Sequence, residues 1–257
     1  MDGDYVKLEV SDFVATVTMN RPPVNAISKE LLEALTLTFD SLSDRDDVRS
    51  AVLTGAGKIF CAGADIKNRA TSAPGPGDGW QNSRRSRETF HSIVECQVPV
   101  IGAINGPALG AGLALAASCD ILLCSERGSL GLPEINVGLL GGGRHAMRLF
   151  GQSKARMMMF TGQRLEGPEL LRLGVIEACV APDDLMPTAL ALAHDIASKS
   201  PVAMRLAKHA MNTIEHMPLR DGYRFEQGMT AELSKFEDSK EAMRAFSEKR
   251  DPVFKGR

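Results

Sequence analysis

Glu134 stands in Gly131-Leu132-Pro133-Glu134-Ile135-Asn136-Val137-Gly138-Leu139-Leu140, a single carboxylate among mostly apolar residues. Burial disfavours the ionised form and moves a carboxylate's pKa towards neutrality. A residue so placed can take up and return protons near pH 7. The residues alone leave a rival reading open, a glutamate at a helix start or in a surface ion pair. Two other segments, Phe60-Cys61-Ala62-Gly63-Ala64-Asp65-Ile66-Lys67 and Asn105-Gly106-Pro107-Ala108-Leu109-Gly110-Ala111-Gly112, place small residues between a strand and a helix start. Such turns leave backbone N–H groups approachable. Two of them brought together would aim two donors at one oxygen, as an oxyanion hole does. Turns of this kind are common in α/β proteins, so each alone carries little weight. Neither reads GxGxxG or ends in GK[ST], which argues against a dinucleotide or phosphate cradle.

After Glu134 the chain runs Leu140-Gly141-Gly142-Gly143-Arg144-His145-Ala146-Met147-Arg148. His145 is a candidate second acid/base, because an unperturbed imidazole titrates at roughly 6.5. Arg144 is a candidate grip for a carboxylate on the substrate. The alternative is that both point outward or brace a subunit contact. His91, His194, His209 and His216 sit in helical patterns without a partner motif and read as structural. The five cysteines, Cys61, Cys96, Cys119, Cys124 and Cys179, are odd in number and form no CxxC pair. They indicate neither a zinc site nor a disulfide framework, and read as buried free thiols.

These groups need a scaffold. Val6 to Val10 and Phe13 to Met19 alternate and predict two short paired strands. Arg21-Pro22-Pro23 stops the second, since proline cannot donate to a ladder. Ser28 reads as an N-cap ahead of a Leu31, Leu32, Leu35, Phe39 stripe. Val48 to Thr54 is the next strand. The order recurs with Val98 to Ile104 as strand, Leu109 to Ala117 as buried helix, and Asp120 to Cys124 as strand. Alternation of this kind predicts an α/β protein. Thr71 to Gly79 reads as a mobile surface loop rich in proline and glycine, ahead of Arg84, Arg85 and Arg87 on a helix. From Pro182 onward, 182–199, 201–214 and 219–246 read as successive helices. An apolar stripe of Met204, Leu206, Ala207, Met211 and Ile214 could pack on the core or on another subunit. The expected division is a core over residues 1–195 holding the site and a helical region over 196–257.

The chain of 257 residues can bury a sizeable core without covalent help. A formal charge of −2 supplies no global basic field for nucleic acid or an anionic membrane. No signal-peptide pattern opens the chain and no run nears the ~18 apolar residues of a membrane span. The expectation is a soluble, cytoplasmic protein with neither nucleic acid nor membrane as partner.

Taken in order, the Ala-Gly-Ala-Asp-Ile-Lys, Asn-Gly-Pro-Ala-Leu-Gly-Ala-Gly and Leu-Pro-Glu-Ile segments resemble the crotonase superfamily, which includes the enoyl-CoA hydratases and isomerases. The resemblance runs from Asn20-Arg21-Pro22 to Glu248-Lys249-Arg250, almost the whole chain. It implies an α/β, crotonase-like spiral of ββα turns with a C-terminal helical trimerisation region, assembled as a homotrimer or as a hexamer of paired trimers. It implies an acyl-CoA substrate whose thioester oxygen accepts bonds from the N–H groups of Ala64 and Ala111. Ala62, Asp65, Ile66 and Lys67 would lie along the CoA moiety, and Lys249 would approach the CoA phosphates of a neighbouring subunit. Glu134 matches the glutamate that exchanges a proton with the carbon skeleton.

One departure matters. Where hydratases of this family carry a second glutamate, this chain has Ala114. Addition of water wants one group to position the water and another to move the proton, whereas one base suffices to shift a double bond. Losing a general acid/base costs ~10²–10⁴-fold. The resemblance therefore implies a hydratase/isomerase-type enzyme with Glu134 as its single acid/base. The rival readings are another crotonase reaction (decarboxylation, hydrolysis or C–C cleavage of a carboxylated or cyclic acyl-CoA) and a non-catalytic acyl-CoA binder. No metal or redox cofactor is expected, because coenzyme A arrives with the substrate.

Overall fold

A computed structural model describes residues 4–66 and 75–257. Lys67 and the Thr71–Pro74 part of the expected loop lie outside the described residues. Strands β1 (Val6–Ser11) and β2 (Val14–Met19) form an antiparallel hairpin in the register Val6↔Met19 to Ser11↔Val14. Phe13, expected in the second strand, lies instead in the tight turn with φ +65°. Helix α1 (Lys29–Ser43) then crosses to β3 (Ser50–Gly55), which pairs parallel with β2. Ser28 caps α1 by accepting from the Leu31 N–H at 3.3 Å, and Leu31, Leu32, Leu35, Phe39 and Leu42 are buried along one face.

The chain continues through α2 (Asp78–Val94), β4 (Val100–Ile104), β5 (Pro107–Leu109), α3 (Ala111–Ser118), β6 (Ile121–Ser125) and β7 (Ser129–Gly131). A 3₁₀ turn (Pro133–Val137) leads into α4 (Gly143–Leu149), α5 (Gln152–Thr161), β8 (Arg164–Glu166), α6 (Gly167–Arg172) and β9 (Ala178–Val180). The main sheet runs β1-β2-β3-β4-β6-β9, and a second sheet runs β5-β7-β8. The turns that begin at β4 and β6 each contribute a strand to the main sheet, then one to the second sheet, then a helical segment. Single bridges, Ile27↔Ala64 and Cys61↔Ala108, extend the second layer towards the N-terminal side.

The central strands β3 and β4 are buried along their whole length, as parallel strands covered on both faces must be. Their side chains alternate between two cores. Ala51, Leu53, Val100 and Ile104 face the interior of the spiral, whereas Val52, Ile101 and Ala103 face α7 (Leu185–Ala197) through Leu185, Ala189, Ala193 and Ala197. Four of the five cysteines are buried and Cys179 is half-buried, and all are free thiols. Burial pushes Cys61 and Cys124 up to about 12, which makes them inert at neutral pH.

The helical end differs in detail from the sequence expectation. Helix α8 (Pro201–Ile214) begins with Ser200 as its cap and Pro201 in its first turn. The expected helix over 219–246 is two, α9 (Leu219–Leu233) and α10 (Glu237–Glu248). No proline or glycine marks the break. Tertiary bonds hold it: buried Asp238, at the start of α10, accepts from Ser200 Oγ (2.8 Å), Lys255 N (2.8 Å) and Gly256 N (3.1 Å). The expected helix start at Leu109 also moves, to Ala111, because Pro107–Leu109 pair with β7 instead. Lys208 anchors α8 in the core, donating from Nζ to Ile93 O (3.3 Å), Val98 O (3.0 Å) and Asp120 Oδ2 (2.7 Å). Among the described residues, no helix is long and apolar enough to cross a membrane.

Candidate active site

The two glycine-rich segments meet side by side. Leu109 N donates to Cys61 O at 2.9 Å, and Cys61 N donates to Pro107 O at 3.1 Å. Two residues after Cys61, Gly63 has φ +87°, and a Cβ there would lie 2.6 Å from Leu109 O and 3.6 Å from Ala111 N. Only glycine admits this approach. The Ile27 bridge uses the Gly63 carbonyl (accepting from Ile27 N, 2.8 Å) and the Asp65 N–H (donating to Ile27 O, 3.3 Å). The intervening Ala64 N–H therefore faces away from Ile27. Ala111 is the first residue of α3, whose leading N–H groups have no partner within the helix. Among the described residues, neither the Ala64 N–H nor the Ala111 N–H meets an acceptor. Two free donors on adjoining loops are what an oxyanion hole needs.

Side chains outside these segments hold them in shape. Arg21 donates to Asp65 Oδ2 at 2.7 Å and to Ala26 O at 3.0 Å. Buried Asn25 donates to Ala56 O (3.0 Å) and Ile59 O (2.8 Å) and accepts from Arg21 N (2.9 Å). Asn105 accepts from Gly55 N at 3.2 Å and donates to Gly57 O at 3.0 Å. Arg21 and Asn25 went unrecognised in the sequence, where Arg21-Pro22-Pro23 read only as a strand stop. The missed signal was an Asn two residues after that stop, a residue that tolerates the positive φ of +51° found there.

Glu134 lies in the 3₁₀ turn after β7, with Pro133 opening it. Its Oε1 sits against Gly110, and Gly141 lies alongside. Its Oε2 is buried and, among the described residues, has no hydrogen-bond partner. Burial pushes its carboxyl above the ordinary glutamate range, a hydrogen bond to its own backbone opposes this, and no charge among the described residues contributes. Glu134 is thus brought to the residue that precedes Ala111. Ala114, one turn into α3, is buried in the apolar core.

The other candidates have contacts of their own. His145 lies on α4 with its ring edge-on to Phe90 at 4.8 Å between centroids. Burial first, then the positive charges of Arg148, His91 and Arg144, depress its pKa. Arg144 is exposed and pairs with His216 Nε2 at 3.3 Å. Ala62 donates its N–H to Val24 O at 3.1 Å, Asp65 is held by Arg21, and Ile66 is exposed. Lys249 caps the end of α10 in the left-handed conformation (φ +54°), exposed. A groove of about 400 Å³ between α1 and α2, lined by Glu33, Thr36, Leu37, Arg84, Arg85 and Thr89, contains none of these residues.

The profile of the family described as enoyl-CoA hydratase/isomerase matches residues 9–257. The chain is 36% identical over 255 residues to the short-chain-enoyl-CoA hydratase of Clostridium acetobutylicum, covering 97% of each. It is 36% identical over 257 residues to the (E)-benzylidenesuccinyl-CoA hydratase of Thauera aromatica, covering 98% of this chain and 99% of that one. The crystal structure of an enoyl-CoA hydratase from Bacillus anthracis superposes with a TM-score of 0.93 at 32% identity, over 98% of this chain and 100% of the other.

Proposed function

The chain belongs to the enoyl-CoA hydratase/isomerase family, and on that premise we propose that it shifts the double bond of an enoyl-CoA thioester through Glu134 as its single acid/base. The Glu134 carboxylate takes a proton from C2 of a 3-enoyl thioester. The electrons move onto the thioester oxygen, which the Ala64 and Ala111 N–H groups stabilise as the dienolate. Glu134, now protonated, returns the proton at C4, and the product is the conjugated 2-enoyl thioester. The observation that carries this reading is the buried Glu134 Oε2 beside Gly110 and the Ala111 N–H, both without a hydrogen-bond partner among the described residues. Its raised pKa makes the protonated intermediate accessible. The apolar side chain at Ala114 supports a one-carboxylate mechanism. Ala62, Asp65, Ile66 and Lys67 are assigned to the CoA moiety, which comes with the substrate, and the chemistry calls for no metal or redox group.

Hydration is the second reading, favoured by the names of the relatives, which are hydratases. The two separate in heavy-oxygen water with 2-enoyl-CoA and 3-enoyl-CoA, followed by mass and ultraviolet absorption. A double-bond shift without added mass supports the isomerase. Uptake of one solvent oxygen replaces it with a hydratase. Tight binding without either reaction turns attention to the decarboxylase, hydrolase and lyase chemistries, or to a binding protein.

The proposal extends to assembly as a trimer or a pair of trimers. Leu219 (90% exposed), Phe246 (87%), Met243 (63%) and Tyr223 (58%) on α9 and α10 are apolar surface that a neighbouring subunit would cover. Lys249 would then reach the neighbour's CoA phosphates. Light scattering gives the subunit number directly.

A further inference from the structure

We propose that Arg148 is a positioning residue for this site, holding helix α3 so that the Ala111 N–H stays aimed at the thioester oxygen. The inference rests on the oxyanion role given above to Ala111.

Helix α3 is eight residues of Ala, Gly, Leu and Ser, buried beyond its first residue. Its one polar side chain, Ser118, turns back on the helix and donates to Ala114 O at 2.8 Å. Apolar packing resists separation far better than it resists a small slide or rotation along the axis, because dispersion contacts are non-directional. Among the described residues, the one side-chain hydrogen bond reaching α3 from another element is Arg148 Nη1 to Ala117 O, 2.8 Å. It lands on the last turn of the helix whose first residue is Ala111. A directional bond there adds to the close packing of Gly112 on Cys61 in fixing the axial position.

The rest of the guanidinium is held as firmly. Nε donates to Glu215 Oε1 and Nη2 to Glu215 Oε2, both at 3.1 Å. Glu215 follows directly on α8, which Lys208 fastens to the core. Arg148 therefore spans a short buried helix and an anchored one. The other end of its own helix closes the bracket. Gly142, just before α4, packs on Leu132 and the Gly110 carbonyl, and Gly141 lies beside Glu134 Oε1. Helices α3 and α4 so meet at the reacting end through Gly110, Gly142 and Glu134, and at the far end through Arg148. Only a planar fork with donors on two edges can serve a carbonyl and a carboxylate together. A lysine ammonium can reach one of them well.

A displacement of order 1 Å at a reacting group costs up to ~10²-fold in rate. Arg148→Met is expected to lower kcat roughly 10- to 100-fold with KM changed less than about 3-fold. Arg148→Lys and Glu215→Gln are expected to fall between this and the parent, and they keep the test alive if Arg148→Met does not fold. The direct readout is the infrared carbonyl band of a saturated acyl-CoA carrying ¹³C at its thioester carbonyl. Binding to the parent should shift the band to lower frequency, and the shift should shrink in the Arg148 variants, measured well below their melting temperatures. Parent-like kcat and carbonyl shift in folded Arg148→Met or Arg148→Lys protein overturns the proposal. Glu134→Gln run alongside separates the two failures. If it keeps full turnover, the acid/base reading falls. If no carbonyl shift is seen even in the parent, the oxyanion role of Ala111 falls. Neither result resembles a parent-like Arg148 variant beside an inactive Glu134→Gln.

Discussion

Gly110 and Glu134, 24 positions apart, share one place: a Cβ on Gly110 would overlap Glu134 Oε1 and lie 2.9 Å from Cδ. Gly110 also has φ +57°, so it serves the backbone turn and the carboxylate at once. The glycine keeps the Glu134 carboxyl against the loop that carries the Ala111 N–H.

Gly110→Ala should therefore expel the Glu134 carboxyl as well as strain the turn. We expect a fall in kcat of at least about 10-fold, in line with a misplaced reacting group. Stability should fall by about 1–3 kcal/mol, the cost of a strained backbone conformation. Steady-state kinetics and urea unfolding measure the two effects. Parent-like activity would mean that the carboxyl does not need this seat.

The raised pKa of Glu134 makes a pH prediction in two parts. As the proposed base it would work ionised, so turnover should fall on the acid side with an inflection above the ordinary glutamate range. Glu134→Gln should cost ~10²–10⁴-fold and remove that inflection. For stability the sign is opposite to that of a salt-bridged carboxylate. A folded-state pKa above the unfolded one stabilises the fold below the unfolded value, and that contribution is lost as pH rises through the folded value. Glu134→Gln, which cannot ionise, should raise Tm at pH 8 and leave it unchanged near pH 4. Calorimetry at the two pH values decides it.

Lys208 satisfies two carbonyls and a carboxylate from inside the core. Lys208→Met would leave Asp120 Oδ2 with the Val100 N–H (2.7 Å) and strand the carbonyls of Ile93 and Val98. Breaking a buried ion pair costs about 3–5 kcal/mol. Asp120 is a quarter exposed, so we expect the lower end of that range. Guanidinium unfolding should also show partial recovery in Lys208→Met/Asp120→Asn, which removes the stranded charge.

Asp238 ties three donors from Ser200, Lys255 and Gly256. Asp238→Ala should destabilise by about 2–3 kcal/mol, each buried unsatisfied donor costing ~1–3 kcal/mol with partial relief from solvent. Release of the last residues should make the C-terminus a substrate for carboxypeptidase, read by mass. A terminus that resists digestion would show that other contacts hold it.

Much of the fold is written locally. The Leu31 to Phe39 stripe and its Ser28 cap, the start of α8 at Pro201 and the buried strands β3 and β4 follow from side-chain period and from the hydrogen-bonding habits of serine and proline. These signals act within a few residues, so one sequence suffices to read them. Glu134 is legible for the same reason, as a carboxylate in apolar surroundings. Ala64 and Ala111 are not distinguishable by residue type, since the role concerns backbone N–H groups, and only the resemblance singled them out.

What depends on distant partners was decided by the tertiary structure. Leu109 left its expected helix because β7 offered it a ladder. The expected helix over 219–246 broke because Asp238 found donors on Ser200 and on the chain terminus. His145 turned its ring to Phe90 and Arg144 reached His216, partners that lie on other helices. The Gly110–Glu134 seat and the Arg148 bridge from Ala117 to Glu215 join elements separated by tens of residues. No local period encodes such contacts, because their geometry exists only once the spiral has closed and the buried polar groups have had to find partners.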